Sequence, residues 1–151
     1  MAKSVIITGA SSGIGAALAH EFANRGYNIA LCARRVEKLE ALQQALIQKN
    51  SNLQIITAAL DVNALDTVPV VLNDIKTRLG NIDIVVANAG ITGVRRTGSG
   101  DLSVDKSIMQ TNLFGAIATI DAAVAIFREQ GFGQIVGMSS FSAFRGIPGS
   151  A

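Results

Sequence analysis

Apolar positions along the chain switch repeatedly between strand and helix spacing. Val5-Ile6-Ile7, within Lys3–Thr8, is a short β-branched run that stops at a glycine-rich turn, as a buried strand does. Ile14–Asn24 carries Leu18 and Phe22 at helical spacing with alanines between, and Gly26 stands where a helix C-cap is wanted. Asn28–Ala33 is nearly all apolar, which suits a strand covered on both faces. Val36–Lys49 reads as an amphipathic helix, with Leu39, Leu42 and Leu46 inward and Glu37, Lys38, Glu40 and Lys49 outward. The alternation continues with a strand at Leu53–Leu60, a helix at Thr67–Leu79 before Gly80, and a strand at Ile82–Ala87 that is apolar except for Asp83. A polar loop over Ile91–Ser103, a long helix at Asp105–Gln130 and a fifth strand at Gln134–Ser139 complete it. Strands separated by helices imply crossover connections and a parallel sheet. No repeat, low-complexity tract or linker divides residues 1–151, so one doubly wound α/β domain is expected.

Composition narrows the class without naming a function. The 151 residues are 49% hydrophobic and 16% charged, enough for a core and against disorder. Thirteen Lys and Arg against eleven Asp and Glu leave +2 with both signs interspersed, which argues against nucleic acid as a partner. No uninterrupted apolar run nears the roughly 18 residues of a membrane helix, since Asp121 breaks Gly115–Phe127. The apolar stretch near Met1 is too short for a secretory signal. Cys32 is the only cysteine, so no internal disulfide forms and nothing calls for an oxidising compartment. A cytoplasmic protein without membrane segment, metal cluster or disulfide scaffold is expected.

The first turn carries the chemistry. Thr8-Gly9-Ala10-Ser11-Ser12-Gly13-Ile14-Gly15 lies between a predicted strand and a predicted helix. Gly9 permits a tight turn, Gly13 lets backbone approach a pyrophosphate, and Gly15 lets helix and strand pack closely. The helix N-terminus adds free N–H groups and a positive dipole end. The glycine spacing, G-x-x-x-G-x-G, resembles that of the short-chain dehydrogenase/reductase family, and four further segments follow in that family's order. Asp61-Val62 stands where the family places an Asp and its neighbour beside the adenine ring. Asn88-Ala89-Gly90 matches the element that supports the sheet and lines the cofactor site. Asn112 matches an active-site Asn that holds a water in a proton relay. Ile135-Val136-Gly137-Met138-Ser139-Ser140 matches the strand that delivers the catalytic Ser, with Ser140 the better candidate. Taken singly, Asp61 also fits a loop cap, Asn88 a strand end, Asn112 a solvent-facing helix residue and Ser139-Ser140 an ordinary turn. The resemblance implies a Rossmann-like fold, a small carbonyl or alcohol substrate, and hydride exchange with a nicotinamide.

Cofactor choice rests on the end of the second strand, where an acid favours NAD and an Arg accommodates the 2′-phosphate of NADP. Ala33-Arg34-Arg35 stands there, with no acid before Glu37, so NADP(H) is favoured over NAD(H). The cofactor contacts expected are therefore Gly9, Ser11, Ser12, Gly13, Ile14, Gly15, Arg34, Arg35, Asp61, Val62, Asn88, Ala89 and Gly90.

The resemblance also implies a Tyr general acid/base with a Lys four residues later. That Tyr is expected about thirteen positions after Ser140, past Ala151, with Phe141–Ala151 (Gly146, Pro148 and Gly149 among them) as its approach. Tyr27 precedes the second strand, at the sheet edge away from the ligand side, and His20 reads as a surface residue. The 151 residues alone are therefore expected not to turn over, and to form a sheet truncated after its fifth strand, as part of a longer protein. A bare fifth strand and surplus apolar positions on the long helix (Met109, Leu113, Phe114, Ile117, Ile120, Val124, Phe127) imply a homo-oligomer or a covering segment. Arg95-Arg96 suits a solvated loop or an acidic substrate, and Cys32 a small core residue. An oxidoreductase, a cofactor-binding module without chemistry, and a structural remnant are the three readings left open.

Overall fold

Val5, Ile6 and Ile7 are β-branched and wholly buried, and they open a parallel sheet at whose centre their strand lies. The computed structural model describes residues 2–94, 96 and 98–145, so Arg95, Thr97 and the expected approach segment Gly146–Ala151 lie outside the described residues. Its strands are β1 (Ser4–Thr8), β2 (Asn28–Ala33), β3 (Ile55–Ala59), β4 (Ile84–Ala87) and β5 (Gln134–Gly137). The helices are α1 (Gly13–Asn24), α2 (Val36–Lys49), α3 (Val68–Leu79), α4 (Ser103–Ile108) and α5 (Gly115–Gln130). All pairings are parallel and the order is β3-β2-β1-β4-β5. The chain winds outward through β2 and β3, then crosses back to β4, so the order reverses at β1.

Alternate residues of each strand serve opposite faces. Val5, Ile7, Ile29 and Leu31 pack with Ala19, Ala23, Leu39 and Leu46 of α1 and α2. Ile6, Ala30, Cys32 and Val85 pack with Leu72 and Ile75 of α3 and with Ala122, Ala123 and Ile126 of α5. This is the doubly wound α/β architecture expected, and β2 and α2 have the bounds the pattern predicts. Three differences have physical causes. The inward stripe of α1 is Gly15, Ala19 and Ala23, with Leu18 and Phe22 only flanking it, because small residues let the helix lie close on the sheet. β3, β4 and β5 are shorter than expected, because regular pairing stops one residue short of the last inter-strand bonds, such as Leu60 N–H to the Ala33 carbonyl and Met138 N–H to the Ala87 carbonyl.

The third difference lies in the long helix. It runs from Ser103, and six residues, Met109–Phe114, form a π-helical segment within it. The 28-residue helix Ser103–Gln130 is long and apolar enough on average to cross a membrane, by length and composition alone, a test that the core helix of a soluble protein also passes. Asp121 interrupts the run, yet the mean hydropathy still reaches 1.3. In the fold its inner stripe, Thr111, Gly115, Thr119, Ala122, Ala123 and Ile126, is buried, and a third of the apolar window is covered in all. Met109, Leu113, Phe114 and Ile117 are exposed, and β5 pairs only with β4 among the described strands.

Truncating Ile75 to Ala is expected to cost about 2–5 kcal/mol, read from urea unfolding, because its site on α3 is fully enclosed. Burial pushes the Cys32 thiol up to about 12, with the Arg78 guanidinium opposing in part. The unfolded chain therefore loses this proton first as pH rises past the ordinary 9.0, and the native state retains it. Stability should fall between those two values, with a smaller slope in Cys32→Ala, and a thiol reagent should label the protein only once it unfolds.

Candidate functional site

The turn after β1 is shaped by close approaches. Gly9 has φ +70, and a Cβ there would stand 2.8 Å from the Ala89 Cα. A Cβ on Gly15 would collide with the Gly9 carbonyl and the Asn88 amide, which explains the glycine at the first turn of α1. Gly13 has φ +57 with open space where its Cβ would be. Ser12 is the extended N-cap of α1, yet its side chain caps no helical N–H. Its hydroxyl instead accepts from Arg35 Nη2 at 2.9 Å, as does that of Ser11 at 2.9 Å. Backbone N–H groups in the first turn of α1 are thus left to face the cleft with the positive end of the helix dipole.

One side chain ties this turn to the end of β4. The buried Thr8 hydroxyl donates to the Val86 carbonyl at 3.2 Å and accepts the Asn88 and Ala89 N–H groups, each at 3.0 Å. Asn88 Nδ2 returns a bond to the Thr8 carbonyl at 2.9 Å. Beyond β4, the Asn112 amide grips one residue twice, accepting from Ile91 N and donating to Ile91 O, both at 2.8 Å. Beyond β3, Asp61 Oδ1 accepts the Asn63 N–H at 3.0 Å, and Thr111 Oγ donates to Asn63 Oδ1 at 3.0 Å.

These loops enclose a cleft of about 330 Å³ across the C-terminal ends of β1 to β4. It collects every expected cofactor contact except Gly15, which lies beneath it in helix packing. Asn112 does not line the cleft; it acts on a lining residue, Ile91. Ser140 follows β5, outside the lining, exposed, with its Oγ 2.6 Å from that of Ser142 and accepting the Ser142 N–H at 3.2 Å. Arg96 lies in the loop after β4 and does not line the cleft. Tyr27 stacks edge-to-face on Phe22 at 5.1 Å, beside the opposite edge of the sheet. Leu60, Ile91 and Thr111 line the cleft without having been singled out, since an apolar or hydroxyl residue beside a motif carries no signal of its own. Thr8 was legible only as the first letter of the glycine motif.

Chemically, the cleft offers uncapped N–H groups and two guanidiniums at its β1–β2 side, and Asp61 as the one carboxylate among the described lining residues. That is a setting for a phosphorylated ligand laid across strand ends at the switch point of an open sheet.

Comparison with known proteins agrees with the geometry. Residues 3–151 match the family model for short chain dehydrogenase. An uncharacterized oxidoreductase of Mycobacterium tuberculosis is 42% identical over 97% of this chain, which spans 58% of that protein's length. An alcohol dehydrogenase from the archaeon Thermococcus sibiricus, complexed with 5-hydroxy-NADP, superposes with a TM-score of 0.90 at 32% identity, over 99% of this chain and 63% of its own. An NAD+-bound xylitol dehydrogenase superposes with a TM-score of 0.92 at 25% identity, over 98% of this chain and 56% of its own.

Thr8→Val should test the link between β1 and β4. It removes the acceptor of the Ala89 N–H at a buried position, which costs about 1–3 kcal/mol. Chemical denaturation should show that loss, and Thr8→Ser, which keeps the hydroxyl, should recover most of it.

Proposed function

The chain belongs to the short-chain dehydrogenase family, and from that premise we propose that it binds NADP(H) and serves hydride transfer between nicotinamide and a small carbonyl or alcohol substrate. The observation that carries the cofactor choice is Arg35, whose guanidinium spans to the Ser11 and Ser12 hydroxyls beside the N-terminus of α1. A 2′-phosphate between these groups would meet a bidentate cation and hydroxyl donors, with Arg34 beside it. No carboxylate lines the described cleft at the end of β2, where the ribose hydroxyl of NAD would want one. One solved relative is described with an NADP analogue and another with NAD+, so the fold serves both dinucleotides, and charge is what favours NADP(H) here.

The residues present fit such a group. Gly13 leaves the space over the first turn of α1 free of side chain, and the cleft runs across strand ends as an extended dinucleotide requires. When bound, the nicotinamide would supply or take up the hydride. The backbone of the glycine turn would bind the diphosphate, Asp61 and Val62 would flank the base, and Asn88–Gly90 would lie against the nicotinamide half. In this reading Asn112 keeps the Ile91 loop in place, and the Ser140 hydroxyl, whose partner Ser142 is also a hydroxyl, is free to turn its proton toward a substrate oxygen. A homo-oligomer belongs to the same proposal, supported by the exposed Met109, Leu113 and Ile117 along one side of the long helix. So does a cytoplasmic setting, with which the single buried thiol is compatible.

Titration with NADPH and NADH, followed by nicotinamide fluorescence, should show tighter binding of NADPH. In the Arg34→Asp, Arg35→Ala variant that preference should fall by about tenfold or more, the scale of one charge-assisted contact. An unchanged preference would make both arginines bystanders. NADPH consumption with a panel of ketones and aldehydes tests the activity itself.

A further inference from the structure

Two successive residues of the long helix hold two different walls of the cleft. Asn112 holds Ile91 on the β4 side. Thr111, buried and itself lining the cleft, donates to Asn63 Oδ1 at 3.0 Å, and the Asn63 N–H in turn occupies Asp61 Oδ1 at 3.0 Å. Four residues further, Gly115 approaches the same loop so closely that a Cβ would stand 2.7 Å from Val62 Cγ2 and 3.2 Å from the Val62 carbonyl. The loop needs this support because it follows β3, an edge strand. On its other side it is joined to β2 by the Leu60 N–H bond to the Ala33 carbonyl, 3.1 Å.

We infer that Thr111 is a positioning residue for the base-binding end of the cleft. Holding Asn63 fixes the turn that presents Asp61. The inference rests on the dinucleotide reading above: with diphosphate at α1 and ribose at Arg35, the base falls at the next strand outward, β3. There the Asp61 carboxylate, with one oxygen engaged by Asn63, keeps acceptor capacity for an amino group of the base. Successive side chains of a helix diverge by roughly a quarter turn, so neighbours in the π-helical segment Met109–Phe114 can reach different walls. Thr111 and Asn112 both lie within it, one directed to the β3 loop and the other to the β4 loop.

The test is calorimetric titration of 2′-phospho-ADP-ribose, which has the base and no nicotinamide, into wild type, Thr111→Val, Thr111→Ser, Asn63→Ala and the Thr111→Val/Asn63→Ala double variant. Thr111→Val should bind about five- to tenfold more weakly, the size of one hydrogen bond, and Thr111→Ser should restore affinity. Because both residues act along one path, the double variant should lose no more than the worse single variant. Amide exchange at Asn63 should quicken in Thr111→Val, while the melting profile shows the fold retained. Undiminished binding by Thr111→Val, no recovery with Ser, or multiplicative losses in the double variant would each overturn the positioning role and leave the dinucleotide reading standing. Failure of the wild type itself to bind would remove that reading, and this inference with it.

Discussion

The Thr8 hydroxyl sits between the ends of two neighbouring parallel strands, donating to a carbonyl of β4 and accepting the first two N–H groups beyond that strand's end. Its position matters because β1 and β4 send their loops to opposite faces of the sheet, where the strand order reverses. The loops must part there, and the gap between them is the cleft. The Asn88 N–H also reaches the Val86 carbonyl, but the half-buried Ala89 N–H depends on the Thr8 hydroxyl, and leaving it unpaired would cost about a kcal/mol or more. Thr8 and Asn88 bond one another, and Gly9 and Gly15 allow the approach that brings them within reach. The ligand side is thus set by the same contacts that close the core beneath it.

Electrostatics complete the cleft from two unrelated sources. The N-terminus of α1 is left without a side-chain cap, since the hydroxyl suited to cap it bonds Arg35 instead. Helix dipole and guanidiniums then reinforce one another at one end of a channel whose other described lining is backbone, small and aliphatic side chains, the Asn88 amide and one carboxylate. An anion there would meet donors already oriented, with little further ordering of the protein.

The long helix serves packing and geometry at once. Its small inner residues, Thr111, Gly115, Thr119, Ala122 and Ala123, bring its axis close to the sheet and to the loop after β3. Its larger apolar residues Met109, Leu113, Phe114 and Ile117 are exposed, while Ile126 is buried near its C-terminal end. The same economy appears on α1, where Gly15, Ala19 and Ala23 face the core.

Much of this was legible in the residues alone. Period changes fix the order of strands and helices because burial on both faces of a parallel sheet demands continuous apolar strands, as in Asn28–Ala33. The glycine turn was readable because close backbone approach allows few residue types there, and Asp61 and the Asn88-Ala89-Gly90 element, read from a family resemblance, line the same cleft. Sequence spacing left the inner face of α1 unassigned, where close packing prefers Ala to Leu, and it passed over the π-helical segment, which leaves no mark on apolar periodicity. The roles of Thr8, Ile91 and Thr111 were decided only by the fold. Each bonds a partner at least 21 residues away, as Thr111 does to Asn63, and a hydroxyl or a backbone amide becomes specific only when the fold supplies the other half of its hydrogen bond.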